Sequence, residues 1–189
     1  MSERPHSKED AKHGYLVALL VIVASIGLGL FGLPRLGRRH AVSDSALVGH
    51  PARDFMLPAL SQTGPGKPQR LSDLQGKAVL LDFFASWCGP CRQQAPIVER
   101  VARRLGGPKL AVIGVDTSDQ LMAAQQYFVA SEPAYPILFD GDNEAASAFD
   151  VTGLPTLVLI DKGGVVRAVE TGVVSETELD DLIRAAQGS

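Results

Sequence analysis

Cys88 and Cys91 are the only cysteines in 189 residues, and they stand two residues apart in Trp87-Cys88-Gly89-Pro90-Cys91, directly after an apolar run. Two thiols that close can open and close a disulfide. A bridge enclosing only Gly89 and Pro90 closes too short a loop to stabilise the chain much, so redox exchange is the leading chemistry. Zinc would require about four ligands, commonly two such pairs, and the second pair is missing. The four histidines, His6, His13, His40 and His50, all precede the compact region, which begins near Pro51. That distribution removes a Cys-His protease dyad. Arg92 follows Cys91, which removes a covalent haem site. Neither metal nor cofactor is expected.

Exchange needs a thiolate, whereas an ordinary cysteine, with a pKa of about 8.5, is mostly protonated at neutral pH. A helix beginning at the CGPC turn would aim its first N–H groups and the positive end of its dipole at Cys88. Cys88 is then the attacking sulfur. Cys91, one turn into the helix, is expected to be more buried and to expel the captured substrate by attacking Cys88. Pro90 stiffens the turn. Asp82, six residues before Cys88, interrupts the apolar run, where an ionised carboxylate is costly and its pKa should rise.

These groups must be held by flanking elements. Ala78 to Phe84 reads as a central strand covered on both faces, and Arg92 to Leu105 as a helix stopped by Gly106-Gly107 and kinked at Pro96. A short strand is expected over Asp54 to Leu57, then a turn-rich stretch from Ser61 to Pro68. Strands follow at Leu110 to Val115, Pro136 to Phe139, Thr156 to Ile160 and Val165 to Glu170. Helices are expected at Asp119 to Ala130, Glu144 to Phe149 and Glu176 to Ala186. That order predicts an α/β sandwich with parallel core strands and a late antiparallel hairpin.

Upstream, residues 1–14 read as a tail, 15–33 as a transmembrane signal anchor, 34–50 as a tether without a fold of its own, and 51–189 as the compact domain. Tyr15 to Leu33 carries no charge and, at about 1.5 Å per residue, is long enough for the roughly 30 Å hydrocarbon layer. A cleaved secretion signal is the competitor, but no small-x-small site follows closely. Basic residues flank both ends equally, so charge leaves orientation open. The net charge of −3 and pI near 5.8 offer no basic surface for nucleic acid.

WCGPC after an acid-bearing strand, with Gly153-Leu154-Pro155-Thr156 downstream, resembles the thioredoxin fold. The entry DFMLPAL…LSDLQGKAVLLDFFASWC is similar to the TlpA/ResA-like membrane-anchored thioredoxins. The resemblance spans about Phe55 to Leu182. It implies a central mixed sheet flanked by helices, with an added helix and strand between Cys91 and Pro155. It implies that Asp82 accepts the proton of Cys91 and that Pro155 is a cis-proline opposite the active-site turn. Leu154 and Pro155, with Trp87, Gly89 and Pro90, would then meet an extended substrate. Relatives of this type place a glutamate three residues after the second cysteine, where this chain has Gln94. Thioredoxins also offer a lysine on the next strand, which Leu110 to Val115 lacks.

The implied activity is thiol-disulfide oxidoreductase, in the direction of reduction. Its substrates would be disulfides of exported proteins, as in cytochrome c maturation or copper-centre assembly. The implied electron donor is a membrane thiol transporter, and the implied location is the cytoplasmic membrane with the domain on its outer, periplasmic side. Two alternatives stand beside it. A peroxiredoxin needs a proline and a Thr or Ser seven and three residues before its cysteine, where this chain has Leu81 and Ala85. A tethered copper or haem chaperone could use the two thiolates, but Met56 and Met122 fall in apolar patterns that predict burial.

Overall fold

The computed structural model describes residues 45–188. The expected tail, membrane span and most of the tether lie outside them. Among the described residues, no helix is long and apolar enough to cross a membrane.

The elements are β1 (Met56–Ser61), β2 (Gly64–Arg70), a 3-10 turn (Leu71–Leu74), β3 (Ala78–Phe84), α1 (Gly89–Leu105), β4 (Leu110–Thr117), α2 (Leu121–Ser131), β5 (Ile137–Asp140), α3 (Glu144–Ala148), β6 (Thr156–Ile160), β7 (Val166–Thr171) and α4 (Glu176–Gln187). They form one sheet in the order β2-β1-β5-β4-β3-β6-β7. β3, β4 and β5 run parallel, while β6 and β7 are antiparallel to their neighbours. Parallel neighbours require crossover connections, and α1 and α2 supply them.

β3 and β6 are buried at every position, the pattern of strands covered on both faces. Alternation divides their side chains between two cores. Leu80 and Phe84 pack with Val98 and Val101 of α1 and Leu179 and Ile183 of α4. Val79, Leu81 and Phe83 pack on the other face with Phe55 and Phe149. There the Phe149 ring meets Phe55 edge-on at 6.1 Å and Phe83 at 5.8 Å.

The structure departs from the sequence expectations in several places. The stretch from Ser61 to Pro68 is not simply turn: β2 occupies most of it and pairs with β1. β2 is an edge strand, where Pro65 and Pro68 leave no ladder partner waiting for an N–H. α1 begins three residues earlier than its apolar spacing suggests, because Pro90 suits a helix's first turn; it runs past Pro96 as far as Leu105. Met56 and Met122, expected in the core, are 50% and 73% exposed. Met56 alternates with the buried Leu57 along β1, and α2 turns Leu121, Ala124, Tyr127 and Phe128 inward rather than Met122.

The sheet's β7 edge is met by the incoming chain. Gly49 N–H donates to Val166 O at 2.8 Å and Ala52 N–H to Gly164 O at 2.8 Å. The compact unit therefore includes residues upstream of Pro51, and the chain enters beside the β6–β7 turn.

Candidate active site

Cys88 is the N-cap of α1, with extended backbone angles, and its Sγ accepts the N–H of Cys91 at 3.2 Å. Separated by three residues from the end of β3 at Phe84, Cys88 thus caps a 17-residue helix, and one of the first-turn N–H groups, that of Cys91, reaches the sulfur. Cys88 and Cys91 are joined by a disulfide. Cys91 was expected to be the more buried, yet both residues are 4% exposed. In the bridged pair both cysteines are covered, and Trp87, Gly89 and Pro90 are the exposed part of the turn.

A groove of about 360 Å³ opens beside Cys88. Trp87, Gly89 and Pro90 line one wall, Val151 to Leu154 the other, and Thr117, Ser118 and Ala146 complete it. Every lining side chain is uncharged. Trp87 is 62% exposed, with its indole N–H donating to Ser118 O at 2.9 Å. The Leu154–Pro155 peptide is cis, and Pro155 lies buried behind Leu154. All five residues expected to meet substrate are thus in or directly behind the groove.

A second hollow, about 280 Å³, reaches the bridge from the other side. Asp82 and Cys91 both line it, with Phe84, Tyr127 and Tyr135 among the walls and Glu99 and Arg103 further along. Asp82 lies within β3, not at its end, and its Oδ1 has no hydrogen-bond partner. Burial pushes its carboxyl pKa up to about 7. Opposite Asp82 on β4 stands Gly114. A Cβ there would come within 3.1 Å of Phe84 and 3.2 Å of Tyr135, so glycine lets those two rings approach. Burial likewise pushes the Tyr127 and Tyr135 hydroxyls up, keeping both neutral.

Gln94 is buried, and its Oε1 accepts the Val174 N–H at 2.7 Å, clasping α1 to the segment before α4. A neutral amide serves that contact, whereas a carboxylate would be buried without a countercharge.

Sequence inspection missed Asp116 and Asp119. Asp116 ends an apolar run much as Asp82 interrupts one, and that signal was legible. Asp119 Oδ2 accepts the Ser86 N–H at 2.7 Å, a contact between segments 33 residues apart that no local pattern announces. Among the described residues no group of three His, Cys, Asp or Glu side chains could hold a metal ion.

This geometry, a disulfide pair at a helix N-terminus beside a cis-proline loop, matches known proteins. The Redoxin family pattern matches residues 47–183. The chain belongs to the Redoxin family. Within it, the thiol-disulfide oxidoreductase ResA of Bacillus subtilis (strain 168) is 28% identical over 163 residues, covering 86% of each chain. The thioredoxin-like protein YneN of the same organism is 33% identical over 70% of this chain and 76% of its own. Among solved structures, a thiol:disulfide interchange protein DsbE from Chlorobium tepidum superposes with a TM-score of 0.66. It is 31% identical and is covered over 96% of its length and 74% of this chain. This Redoxin chain is a thioredoxin-fold, ResA-like thiol-disulfide oxidoreductase.

Proposed function

We propose that this protein reduces disulfides of exported proteins, with Cys88 as nucleophile, Cys91 as resolving thiol and Asp82 as proton acceptor. The placement of the Cys88 sulfur carries the reading: it caps a long helix and borders an uncharged groove. In the reduced protein, the Cys88 thiolate attacks one sulfur of the substrate disulfide, forming a mixed disulfide and releasing the other substrate sulfur as a thiolate that takes up a proton. Cys91 then gives its proton to Asp82 and attacks Cys88 Sγ. The second substrate thiolate leaves, and the enzyme is left oxidised, two electrons having passed to substrate. Asp82 accepts a proton only when ionised, so this step should quicken as pH rises through about 7.

The groove supplies no charge to select a sequence. Trp87 and the Leu154-Pro155 segment suit an extended, unfolded stretch of polypeptide, met through its backbone and apolar side chains. Residues 15–33 are proposed to anchor the chain in the cytoplasmic membrane, with the domain on the outer side and a membrane thiol transporter re-reducing Cys88–Cys91. In the described residues the chain enters beside the β6–β7 turn, at the end of β6 away from the site, which is compatible with a tether that leaves Cys88 accessible.

A Cys91→Ser variant of the full-length protein tests the whole reading. It should accumulate mixed disulfides through Cys88 with exported proteins. Capture of cytoplasmic proteins alone, or Cys88 shielded from a membrane-impermeant thiol reagent on intact cells, would overturn the location. An equilibrium potential well above that of the glutathione pool would overturn the direction.

A further inference from the structure

The turn that presents Cys88 is held from outside by a polar cluster at the end of β4. Asp119 Oδ2 accepts the Ser86 N–H at 2.7 Å and its Oδ1 the Gln120 N–H at 2.7 Å. Trp87 donates to Ser118 O. Ser118 has a left-handed backbone (φ 55°), uncommon for a residue with a side chain. That conformation is fixed by Asn143, whose Oδ1 accepts from Ser118 N, Ser118 Oγ and Thr117 Oγ1 at 2.9, 2.9 and 2.8 Å. Two separate bonds, to Ser86 and to Trp87, therefore tie the residues before Cys88 to this loop.

Beneath the loop lies Asp116, wholly buried, with no hydrogen-bond partner apart from the neighbouring Asp119 carboxyl. It pairs in register with Phe84, the last residue of β3, and so sits under the same turn. A carboxyl in such a place is tolerable when neutral and costly when charged. Asp119 is close enough for each of the two carboxyls to bias the other's proton. Asp82 on β3, Asp140 on β5, Tyr127 on α2 and Arg92 on α1 are other titratable groups near this end of the sheet, and of these only Arg92, which donates to Ser86 O at 3.2 Å, is cationic.

We propose that Asp116 is a positioning residue of the exchange reaction: as a neutral acid it lets Asp119 remain the ionised acceptor that pins Ser86, fixing the turn that carries Trp87 and Cys88. Two observations on the protonation of the pair agree with this. Burial, then the charge of Asp119 and the hydrogen bond between the two carboxyls, push Asp116 up to about 8. Burial pushes Asp119 up too, but the Ser86 and Gln120 donors and the Asp116 carboxyl outweigh it and hold that carboxyl below its ordinary range. When Asp116 releases its proton to solvent, two anions face each other and the clamp on Ser86 loosens. The consequence for rate rests on Cys88 being the reacting sulfur, whereas the loosening itself does not.

Trp87 is the protein's only tryptophan, so its fluorescence reports this turn alone. In the full-length protein with its disulfide intact neither cysteine titrates, and emission should change in a step centred near pH 8. Asp116→Asn should abolish the step and Asp82→Asn should keep it. Asp119→Asn removes the opposing charge and should move the step down by about one pH unit. No step in the parent protein, a step surviving in Asp116→Asn, or an unmoved step in Asp119→Asn overturns the proposal, so a variant that fails to fold leaves it testable. In the reduced protein, Asp116→Asn should raise the ratio of exchange rate at pH 9 to that at pH 7 about threefold over the parent. An unchanged ratio alongside a confirmed fluorescence step would place the failure in the role of Cys88 rather than in the clamp.

Discussion

The two hollows that meet at the Cys88–Cys91 bridge differ in almost every chemical respect. The groove at Cys88 is lined by small, apolar and hydroxyl side chains around an exposed tryptophan. The hollow at Cys91 holds a buried acid and two tyrosines, with a Glu–Arg pair further along. Yet the two cysteines are equally buried. Burial therefore does not distinguish the two sulfurs, and their surroundings do. An uncharged groove can accept a polypeptide without imposing a sequence, and a buried carboxyl can take a proton without offering its charge to that polypeptide. The chemistry of one disulfide is divided between a face that handles chain and a face that handles protons.

The largest test of that division removes one sulfur at a time. Cys88→Ser should abolish both mixed-disulfide capture and turnover, while Cys91→Ser should lower turnover by at least roughly a hundredfold and leave capture intact. Gel analysis of trapped adducts reads the difference directly; equal capture by both variants would erase the distinction.

Next comes Asp82→Asn, which should slow resolution about 10- to 100-fold above pH 7 and flatten the rise in rate through about pH 7. It should also stabilise the fold. An acid whose folded pKa is about 7 against an ordinary 3.8 holds a proton in the native state that the unfolded chain has released. Native stability thus falls as pH climbs from about 4 to about 7 and is level above. The cost at the plateau is on the order of 4 kcal/mol. Asparagine escapes it, so denaturant midpoints of parent and variant should coincide near pH 4 and diverge above. A less stable Asp82→Asn protein at pH 8 would mean that the carboxylate is satisfied by a partner.

Trp87→Ala acts on the other face. It should reduce kcat/KM for an unfolded protein substrate about five- to tenfold, the loss of one exposed aromatic contact. A small-molecule disulfide, which does not span the groove, should be affected less. Equal losses on both substrates would assign Trp87 to the geometry of the turn.

The sequence made some of this visible and hid the rest for physical reasons. The strands Ala78–Phe84 and Thr156–Ile160 were legible to the residue, since strands buried on both faces carry largely apolar runs between clear stops, broken in the first only by Asp82. Cys88, Cys91 and Asp82 stood out from their own surroundings, two thiols two residues apart and an acid inside an apolar run, whereas Trp87, Leu154 and Pro155 were singled out only through the family resemblance. β2 was hidden: its glycines and prolines spell a turn, and only its place at a sheet edge makes them tolerable in a strand. Met56 and Met122 were misread because apolar character was taken for burial, whereas alternation and helical phase decide which way a side chain points. Asp116 was lost by ending β4 two residues short, at Val115. The clamp could not be read at all, since Ser86, Asp119 and Asn143 meet only once β3, β4 and β5 lie side by side.

The smallest expected effect bears on how far the proton-handling hollow extends. Arg103 lies along it, 64% exposed at its side chain, and pairs with Glu99 one turn earlier at 2.6 Å. An exposed pair of this spacing contributes about 0.3–0.5 kcal/mol. Glu99 keeps a second role without it, accepting the Ala134 N–H at 3.1 Å. Arg103→Ala should therefore lower stability by no more than about 0.5 kcal/mol and change the resolution rate by less than about twofold. A proton leaving Asp82 needs water in the hollow, not a cation along its wall. If the variant instead slowed resolution as far as Asp82→Asn does, with stability unchanged, the charge along the wall would belong to the proton path. The boundary between the two faces would then lie at the protein surface rather than at the buried carboxyl.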